Sequence, residues 1–485
     1  MRHRPKRNTK IVATLGPASS SREVIREMIF HGMNVARLNF SHGSHDAHTE
    51  VLNLVREEAA ALDRHVAVFQ DLCGPKVRIS QLEGGTVTLT EGSQVDLRYS
   101  GHDPAAVVGT SDTLYVEAFD PAEVMQPGEK ALLADGRIIL IVEEVFSDRV
   151  QCRVRAGGAL RSRSGIAVPE SKLDLPCLTE KDKFDLQWAL KHQVDYVALS
   201  FVGSAKDVRQ IRAVMEESGE RLPVIAKIER AGSLDHISAI VEAADAVMVA
   251  RGDLGLELPL ERVPGAQRFI IGAANYAGTP VITATQMLMS MVEEIRPTRA
   301  EVSDVCTAVR DGTDAVMLSD ETAVGKHPVQ AVHVLSQIVE EAERELALER
   351  DRPPAKRSDR EKVADAVCYA ACNAADKIAA SAMVACTQSG YTARLMSKYR
   401  PRQPLFGATS EIRSLNRMVL YWGVEPVYLP LGDEVNIEDE VQSALQALRD
   451  MYGIKPGSRV VITAGLRAKK KGSTNVMEIR EVPRD

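Results

Sequence analysis

The feature that most constrains this chain is a count of strand-like segments. Eight short, mostly apolar stretches begin near residues 10, 34, 65, 196, 224, 246, 280 and 315, and each except the third runs straight into a helical pattern. Apolar runs of this length suit strands buried on both faces, as parallel strands are when helices cover them. Eight β/α units are what a closed (β/α)₈ barrel needs. A doubly wound sheet is the alternative that the pattern leaves open. Helix starts support the rhythm: Thr179 precedes Glu180-Lys-Asp182 as a capping residue, and Ser204 does the same for the helix to Gly219.

After the third segment, the texture changes. From about 75 to 168 the chain is rich in short alternating runs and turns, with Asp135-Gly136 set between Leu132-Leu133 and Ile139-Leu140 as a hairpin signal. This predicts an inserted all-β domain. A charged, proline-bearing stretch, Glu349 to Arg360, then leads to a long helix, Lys362 to Ala380, and renewed α/β alternation. The expected fold class is α/β: a (β/α)₈ TIM barrel in two parts (1–74 and 169–345), a β-barrel-like cap (75–168) and a C-terminal α/β domain (346–485). A length of 485 residues suits about three domains of roughly 150 residues.

Composition narrows the function. A net charge of −7 and 4% aromatic residues give no reason to expect nucleic-acid or acidic-lipid binding. No apolar run approaches the ~18 residues of a membrane span. The seven cysteines contain no Cys-x-x-Cys pair and read as reduced thiols of a cytoplasmic protein. Arg2, Arg4, Lys6, Arg7 and Lys10 read as a solvated basic arm, since no apolar segment follows them as in a signal peptide.

Candidate chemistry gathers at strand ends. Ala246 to Ala250 stops abruptly at Arg251-Gly252-Asp253, and the strand Val224–Glu229 carries Lys227 and Glu229 two apart, hence on one face. A lysine and a carboxylate inside a buried strand are costly unless they pair or bind something charged. They read either as a structural ion pair or, with Asp253, as a site for a metal and an anionic substrate. Arg37, Asn39 and Ser41 alternate onto one face as well, so the inward side of that strand turns polar only near its C-terminal end, as at a barrel's active rim. His42, His45 and His48 read as helix surface rather than as a metal site. Thr387-Gln-Ser-Gly-Tyr-Thr392, between a strand and a helix, reads either as a phosphate cradle or as an ordinary capped junction.

The blocks Thr9-Lys-Ile-Val-Ala-Thr-Leu-Gly-Pro17, Gly32-Met-Asn-Val-Ala-Arg-Leu-Asn-Phe-Ser-His-Gly43, Ala226-Lys-Ile-Glu229, Met248-Val-Ala-Arg-Gly-Asp-Leu-Gly255, Ala284-Thr-Gln-Met287, Arg296-Pro-Thr-Arg-Ala-Glu301 and Leu318-Ser-Asp-Glu-Thr322 occur in one order along the chain. Together they resemble the pyruvate kinase family from residue 9 to Gly472-Ser-Thr-Asn475. The resemblance implies transfer of a phosphoryl group from phosphoenolpyruvate to ADP, giving pyruvate and ATP through a metal-stabilised enolate. It implies Mg²⁺, with Mn²⁺ able to substitute, on Glu229 and Asp253. Lys227 and Arg37 would hold the phosphoryl group, and Gly252, Asp253 and Thr285 the substrate carboxylate. Thr285, Ser319 and Glu321 would relay the proton to the enolate, with a water as the alternative donor, and Arg78 and Lys181 would bind the ADP phosphates. A homotetramer with a C-terminal regulatory domain is implied too. A metal-dependent lyase on the same barrel is the rival reading; it would not need the cap or the Arg78 and Lys181 pair.

Two departures from the family pattern carry further expectations. Many members hold K⁺ on residues corresponding to Asn39, Ser41 and Asp71, with a Glu where this chain has Lys76. A tethered ammonium can replace a bound monovalent ion, so the chain is expected to work without K⁺. In the C-terminal loop of Thr387, Ser389, Gly390, Tyr391 and Thr392, Gln388 stands where some members have a lysine. That points to a phosphorylated effector with one phosphate rather than two. The basic run Lys469-Lys-Lys471 is either part of that site or a solvated loop.

Overall fold

The computed structural model describes residues 7–101, 103–171, 173, 175–348, 363–431, 436–465 and 474–484. Strands β1 (Lys10–Leu15), β2 (Val35–Asn39), β3 (Ala67–Asp71), β4 (Tyr196–Leu199), β5 (Val224–Ile228), β6 (Ala246–Ala250), β7 (Val281–Ala284) and β8 (Ala315–Leu318) close into a parallel barrel in sequential order. Pairing of β8 with β1, from Lys10↔Ala315 to Ala13↔Leu318, decides against an open sheet. The outer helices are α1 (Arg22–Phe30), α2 (His45–Ala61), α3 (Glu180–His192), α4 (Ala205–Glu217), α5 (Ile237–Ala243), a short α6 (Arg251–Glu257), α7 (Val263–Ala277), α8 (Arg299–Asp311) and α9 (Pro328–Leu348). Thr179, Ser204 and Thr298 close capping boxes with Asp182, Asp207 and Glu301, so α3, α4 and α8 start where their hydroxyls satisfy open backbone N–H groups.

Alternation along the strands separates two apolar layers. Ile11, Ala13, Ala36, Leu38, Val247 and Val249 face the helices, while Val12, Val35, Phe69, Ala198, Ile225 and Met248 fill the barrel interior. Burying each Val, Leu or Ile is worth about 1.5–3 kcal/mol, so both faces of every strand contribute to closure. The interior face stays apolar only as far as the C-terminal end. There, in step with those residues, come Thr14, Arg37, Asp71, Ser200 and Lys227.

Between β3 and β4, the chain builds a six-stranded sheet, largely antiparallel, with its own core of Leu97, Leu114, Leu133, Leu140 and Val154. The Asp135-Gly136 turn joins Lys130–Leu133 to Ile138–Val145, paired from Ile138↔Leu133. The inserted segment is β-rich as expected; its one α-helix among the described residues is the single turn Pro121–Val124. After α10 (Val363–Lys377), strands β9 (Ala382–Cys386), β10 (Leu405–Thr409), β11 (Val424–Tyr428), β12 (Arg459–Gly465) and β13 (Thr474–Glu481) form a sheet ordered β11-β10-β9-β12-β13, with α11 (Tyr391–Lys398) following β9. This α/β unit docks on the N-terminal end of the barrel. Arg400 bonds Asp314 at 2.8 Å, and the Tyr196 hydroxyl donates to the Arg417 carbonyl at 2.8 Å.

The basic arm is corrected by this docking. Arg7 and Lys10 are buried, not solvated. The Arg7 guanidinium donates to the Ser336 hydroxyl, the Asn34 amide oxygen and the carbonyls of Thr9 and Gly32. Burial pushes its pKa down to about 10, against the pull of Glu343. Lys10 donates to the Val424 carbonyl at 2.8 Å. Arg2, Arg4 and Lys6, the stretch Glu349 to Arg360 and the run Lys469 to Lys471 lie outside the described residues. Among the described residues, no helix is long and apolar enough to cross a membrane.

Candidate active site

Lys227, on β5, lies at the centre of a cluster at the C-terminal mouth of the barrel. Its ammonium is 3.2 Å from Asp71 Oδ1 and 3.0 Å from Glu229 Oε1, and it donates to the Ser200 hydroxyl at 2.7 Å. Arg37 Nε donates to the other Asp71 oxygen at 2.7 Å, and its Nη1 donates to the Thr14 hydroxyl at 3.0 Å. Register explains the convergence: Arg37 sits opposite Thr14 on β1 and Phe69 on β3, two before Asp71. Burial works against the Lys227 charge, but Asp71 and then Glu229 outweigh it and hold its pKa above the ordinary lysine value. Burial likewise pushes Asp71 up, yet Lys227 and Arg37 keep that carboxyl below its usual range. The cluster thus keeps two cations charged in a dry place, which is what binding a polyanion requires.

Glu229 shows the opposite balance. Its Oε2 accepts the Phe201 N–H at 2.6 Å. Burial, and then the charge of Asp253, raise its pKa more than Lys227 and the Phe201 N–H lower it. A divalent cation beside Glu229 would offset both its burial and the neighbouring charge of Asp253. Among the described residues, no group of three or more His, Cys, Asp or Glu side chains gathers as a metal site. A contribution of two hard oxygen ligands, with the rest left to substrate and water, suits Mg²⁺ rather than zinc.

Asp253 lies in the first turn of α6, which has no side-chain cap at its N-terminus. Beside it, Thr285 follows β7 with φ +75°, and Gln286 comes next with φ +56°. A β-branched residue in the left-handed region costs on the order of 1–3 kcal/mol and persists only when its surroundings impose it. A Cβ added at Gly252 would lie 2.8 Å from Thr285 Cγ2, so glycine is what lets the threonine approach the start of α6. On the far side, the Glu321 carboxylate is fully buried and accepts the Ser319 N–H at 2.7 Å and the Leu288 N–H at 3.0 Å. Burial raises its pKa, and those backbone bonds partly offset the rise. Glu321 therefore ties the loop after Thr285 to the end of β8.

The other expected residues are spread more widely. The Asn39 side-chain oxygen accepts the Ser41 N–H at 3.1 Å, and the Leu72 carbonyl accepts the Ser200 hydroxyl at 2.8 Å. Lys76 is exposed, and its Cε lies 3.3 Å from where a Cβ on Gly165 would sit. Arg78 donates to the Arg163 carbonyl at the base of the cap. Lys181, in the first turn of α3, reaches Asp185 and the Phe40 carbonyl. Among the described residues, no hydrogen bond joins Lys76, Arg78 or Lys181 to the Lys227 cluster. His42, His45 and His48 act structurally: His45 pairs with Asp185 at 2.7 Å, and His48 stacks on Phe40 and bonds the His42 carbonyl. In the C-terminal loop, Gly390 has φ +79° ahead of α11, and the Thr392 hydroxyl lies 2.6 Å from that of Thr474.

Thr14, Ser200 and Phe201 escape the sequence reading. Ser200 continues the inward alternation of Tyr196 and Ala198, and Thr14 that of Val12. Following each interior face one residue past its apolar run would have found both.

Comparison with known proteins places the chain in a family. Residues 6–332 match the family described as pyruvate kinase, barrel domain, and residues 365–480 match pyruvate kinase, alpha/beta domain. The chain is 38% identical to pyruvate kinase of Clostridium acetobutylicum, over 98% of this chain and 99% of that protein. It is 39% identical to pyruvate kinase of Thermococcus litoralis, over 99% of each. It is 41% identical to pyruvate kinase 2 of Synechocystis sp., over 98% of this chain and 79% of that protein. With two family matches in order on this barrel and its C-terminal unit, and relatives that match nearly the whole of this chain, the chain belongs to the pyruvate kinase family.

Proposed function

We propose that the chain transfers the phosphoryl group of phosphoenolpyruvate to ADP, giving pyruvate and ATP, with Lys227 and Arg37 as its phosphoryl-binding cations. The observation that carries this is the Lys227 ammonium, kept charged between Asp71 and Glu229 beside Arg37. In the transfer, the bond from phosphorus to the enol oxygen breaks and one to the terminal oxygen of ADP forms. The electron pair stays on the enol oxygen, and the resulting enolate takes a proton at its methylene carbon. Such a reaction needs positioning and charge neutralisation more than covalent help. Arg37 orients the phosphoryl oxygens, and Lys227 stabilises charge on the phosphoryl group in flight and on the enolate oxygen. The N–H groups of Gly252 and Asp253 and the Thr285 hydroxyl receive the carboxylate. Ser319 and Thr285, or a water held by them, deliver the proton, with Glu321 fixing the loop between them. Mg²⁺ on Glu229 and Asp253, or Mn²⁺ in its place, supplies further charge neutralisation for the reacting oxygens.

Arg78 and Lys181 bind the ADP phosphates when the cap, taken as residues 75–168, closes over the barrel. K⁺ is not required. Arg37 donates to one Asp71 oxygen, the Lys227 ammonium stands 3.2 Å from the other, and the Ser200 hydroxyl donates to the Leu72 carbonyl, so cations of the chain already offset the charge of Asp71. On this reading, the tethered ammonium of Lys76 supplies the charge that K⁺ supplies elsewhere. The loop of Thr387, Ser389, Gly390, Tyr391 and Thr392 takes a singly phosphorylated effector, and the enzyme works as a cytoplasmic homotetramer. The test is ATP formation from phosphoenolpyruvate and ADP with Mg²⁺, with and without K⁺ at constant ionic strength. Comparable rates in both support the reaction and the role given to Lys76. A several-fold stimulation by K⁺ removes the role given to Lys76, and inactivity of folded protein in both, even with phosphorylated effectors added, removes the reaction.

A further inference from the structure

Arg251 stands between the two halves of the carboxylate site. Its backbone opens α6 and so presents Gly252 and Asp253. Its side chain, largely buried, turns the other way, toward the loop after β7. There Nε donates to the carbonyls of Ala284 and Thr285, at 3.2 Å each, and Nη2 donates to the Thr285 carbonyl at 2.6 Å. The far end of the guanidinium is anchored: Nη1 meets Asp304 Oδ2 on α8 at 2.6 Å and Gln267 Oε1 on α7 at 3.4 Å. Gln267 is itself tied to Asp311 at 3.1 Å.

The carbonyls Arg251 holds are those of Thr285 and the residue just before it. Two successive non-glycine residues at positive φ need an external grip, because the left-handed region disfavours both. A planar guanidinium presents its N–H donors in a fixed fork that spans two carbonyls on one side and a carboxylate on the other; an ammonium is a compact point charge without that reach. The same turn brings Thr285 Oγ1 to 3.8 Å from the place a Cβ on Gly252 would occupy, so the hydroxyl stands over the start of α6.

We propose that Arg251 is a positioning residue of the active site, one that sets the Thr285 hydroxyl in register with the Gly252 and Asp253 N–H groups and acts on turnover through Thr285. The inference rests on the reading that Thr285 contacts the substrate. Asp304, by fixing the guanidinium, belongs to the same device.

A double-mutant cycle tests it, with Arg251→Met and Thr285→Val made singly and together. Each single variant is expected to lower kcat by roughly tenfold to a hundredfold, with KM for ADP unchanged. The double variant is expected to be no slower than the slower single one. Arg251→Lys recovers only part of the loss. Asp304→Asn, at a side chain 38% exposed, gives a smaller loss that also vanishes in the Thr285→Val background. Losses that multiply in the double variant, or full activity in Arg251→Met, overturn the inference while leaving the function intact. If Thr285→Val itself leaves kcat and the KM for phosphoenolpyruvate unchanged, the substrate contact at Thr285 fails, and the inference fails with it.

Discussion

At the scale of single residues, the active site depends on charge being kept where water is scarce. Lys227, Asp71 and Glu229 are each buried, and none of them is affordable alone. Together with Arg37, they hold two positive and two negative charges within hydrogen-bond reach. Removing one partner of such a set leaves an uncompensated charge. Lys227→Met, close in shape but neutral, is therefore expected to destabilise the metal-free protein by about 3–5 kcal/mol, read as a lower urea midpoint; an unchanged midpoint would mean that the cluster is not coupled as described. The pair Lys227 and Glu229 was legible from sequence because alternation on a strand fixes their common face. The grip of Arg251 on Thr285 was not, because the partners are 34 residues apart and the bond depends on a left-handed turn that no local pattern announces in a threonine.

At the scale of elements, the eight strands were legible because parallel strands buried on both faces have few other readings. Their junctions were less so. Asp195, just before β4, illustrates the difference. Its carboxylate accepts the Val68 N–H at 2.8 Å and so fastens β4 to β3, yet nothing in Val194-Asp-Tyr196 marks it as buried. Burial pushes its pKa up to about 6, above the value of an unfolded aspartate near 3.9. The folded state thus holds the proton more tightly. The associated stability is fully present below about pH 4 and lost as the pH rises to about 6, a change worth about 3 kcal/mol at most. Asp195→Asn should flatten that part of the stability profile in chemical denaturation between pH 4 and 7. A slope identical to that of the parent protein would rule the assignment out.

At the scale of the whole molecule, the C-terminal unit is joined to the barrel by buried polar contacts that neither part needs alone. Arg400 and Asp314 are the clearest pair, with side chains only 9% and 7% exposed; Arg400 also donates to the Gly312 carbonyl and stacks on Trp422. Asp314 immediately precedes β8 and also accepts the Val281 N–H at the start of β7. The joint therefore grips the strands that lead to Thr285 and Ser319. Arg400→Ala is expected to cost about 3–5 kcal/mol, since Asp314 is left buried and unpaired, and to separate the unfolding of the two parts in a calorimetric scan; a single transition at the parent temperature would contradict this. The burial of Arg7 and Lys10 belongs here too. Their partners Ser336 and Val424 lie 329 and 414 residues away, so a local reading could see only a basic arm.

Lys227 is the proposed cation of phosphoryl transfer. The most direct measurement is the rate of pyruvate formation from phosphoenolpyruvate and ADP by Lys227→Met, with Mn²⁺ binding followed on the same sample. The expected result is a fall in kcat of about 10³-fold or more while the carboxylates of Glu229 and Asp253 still bind the metal. Turnover within a few-fold of the parent enzyme, with the metal bound, would contradict it.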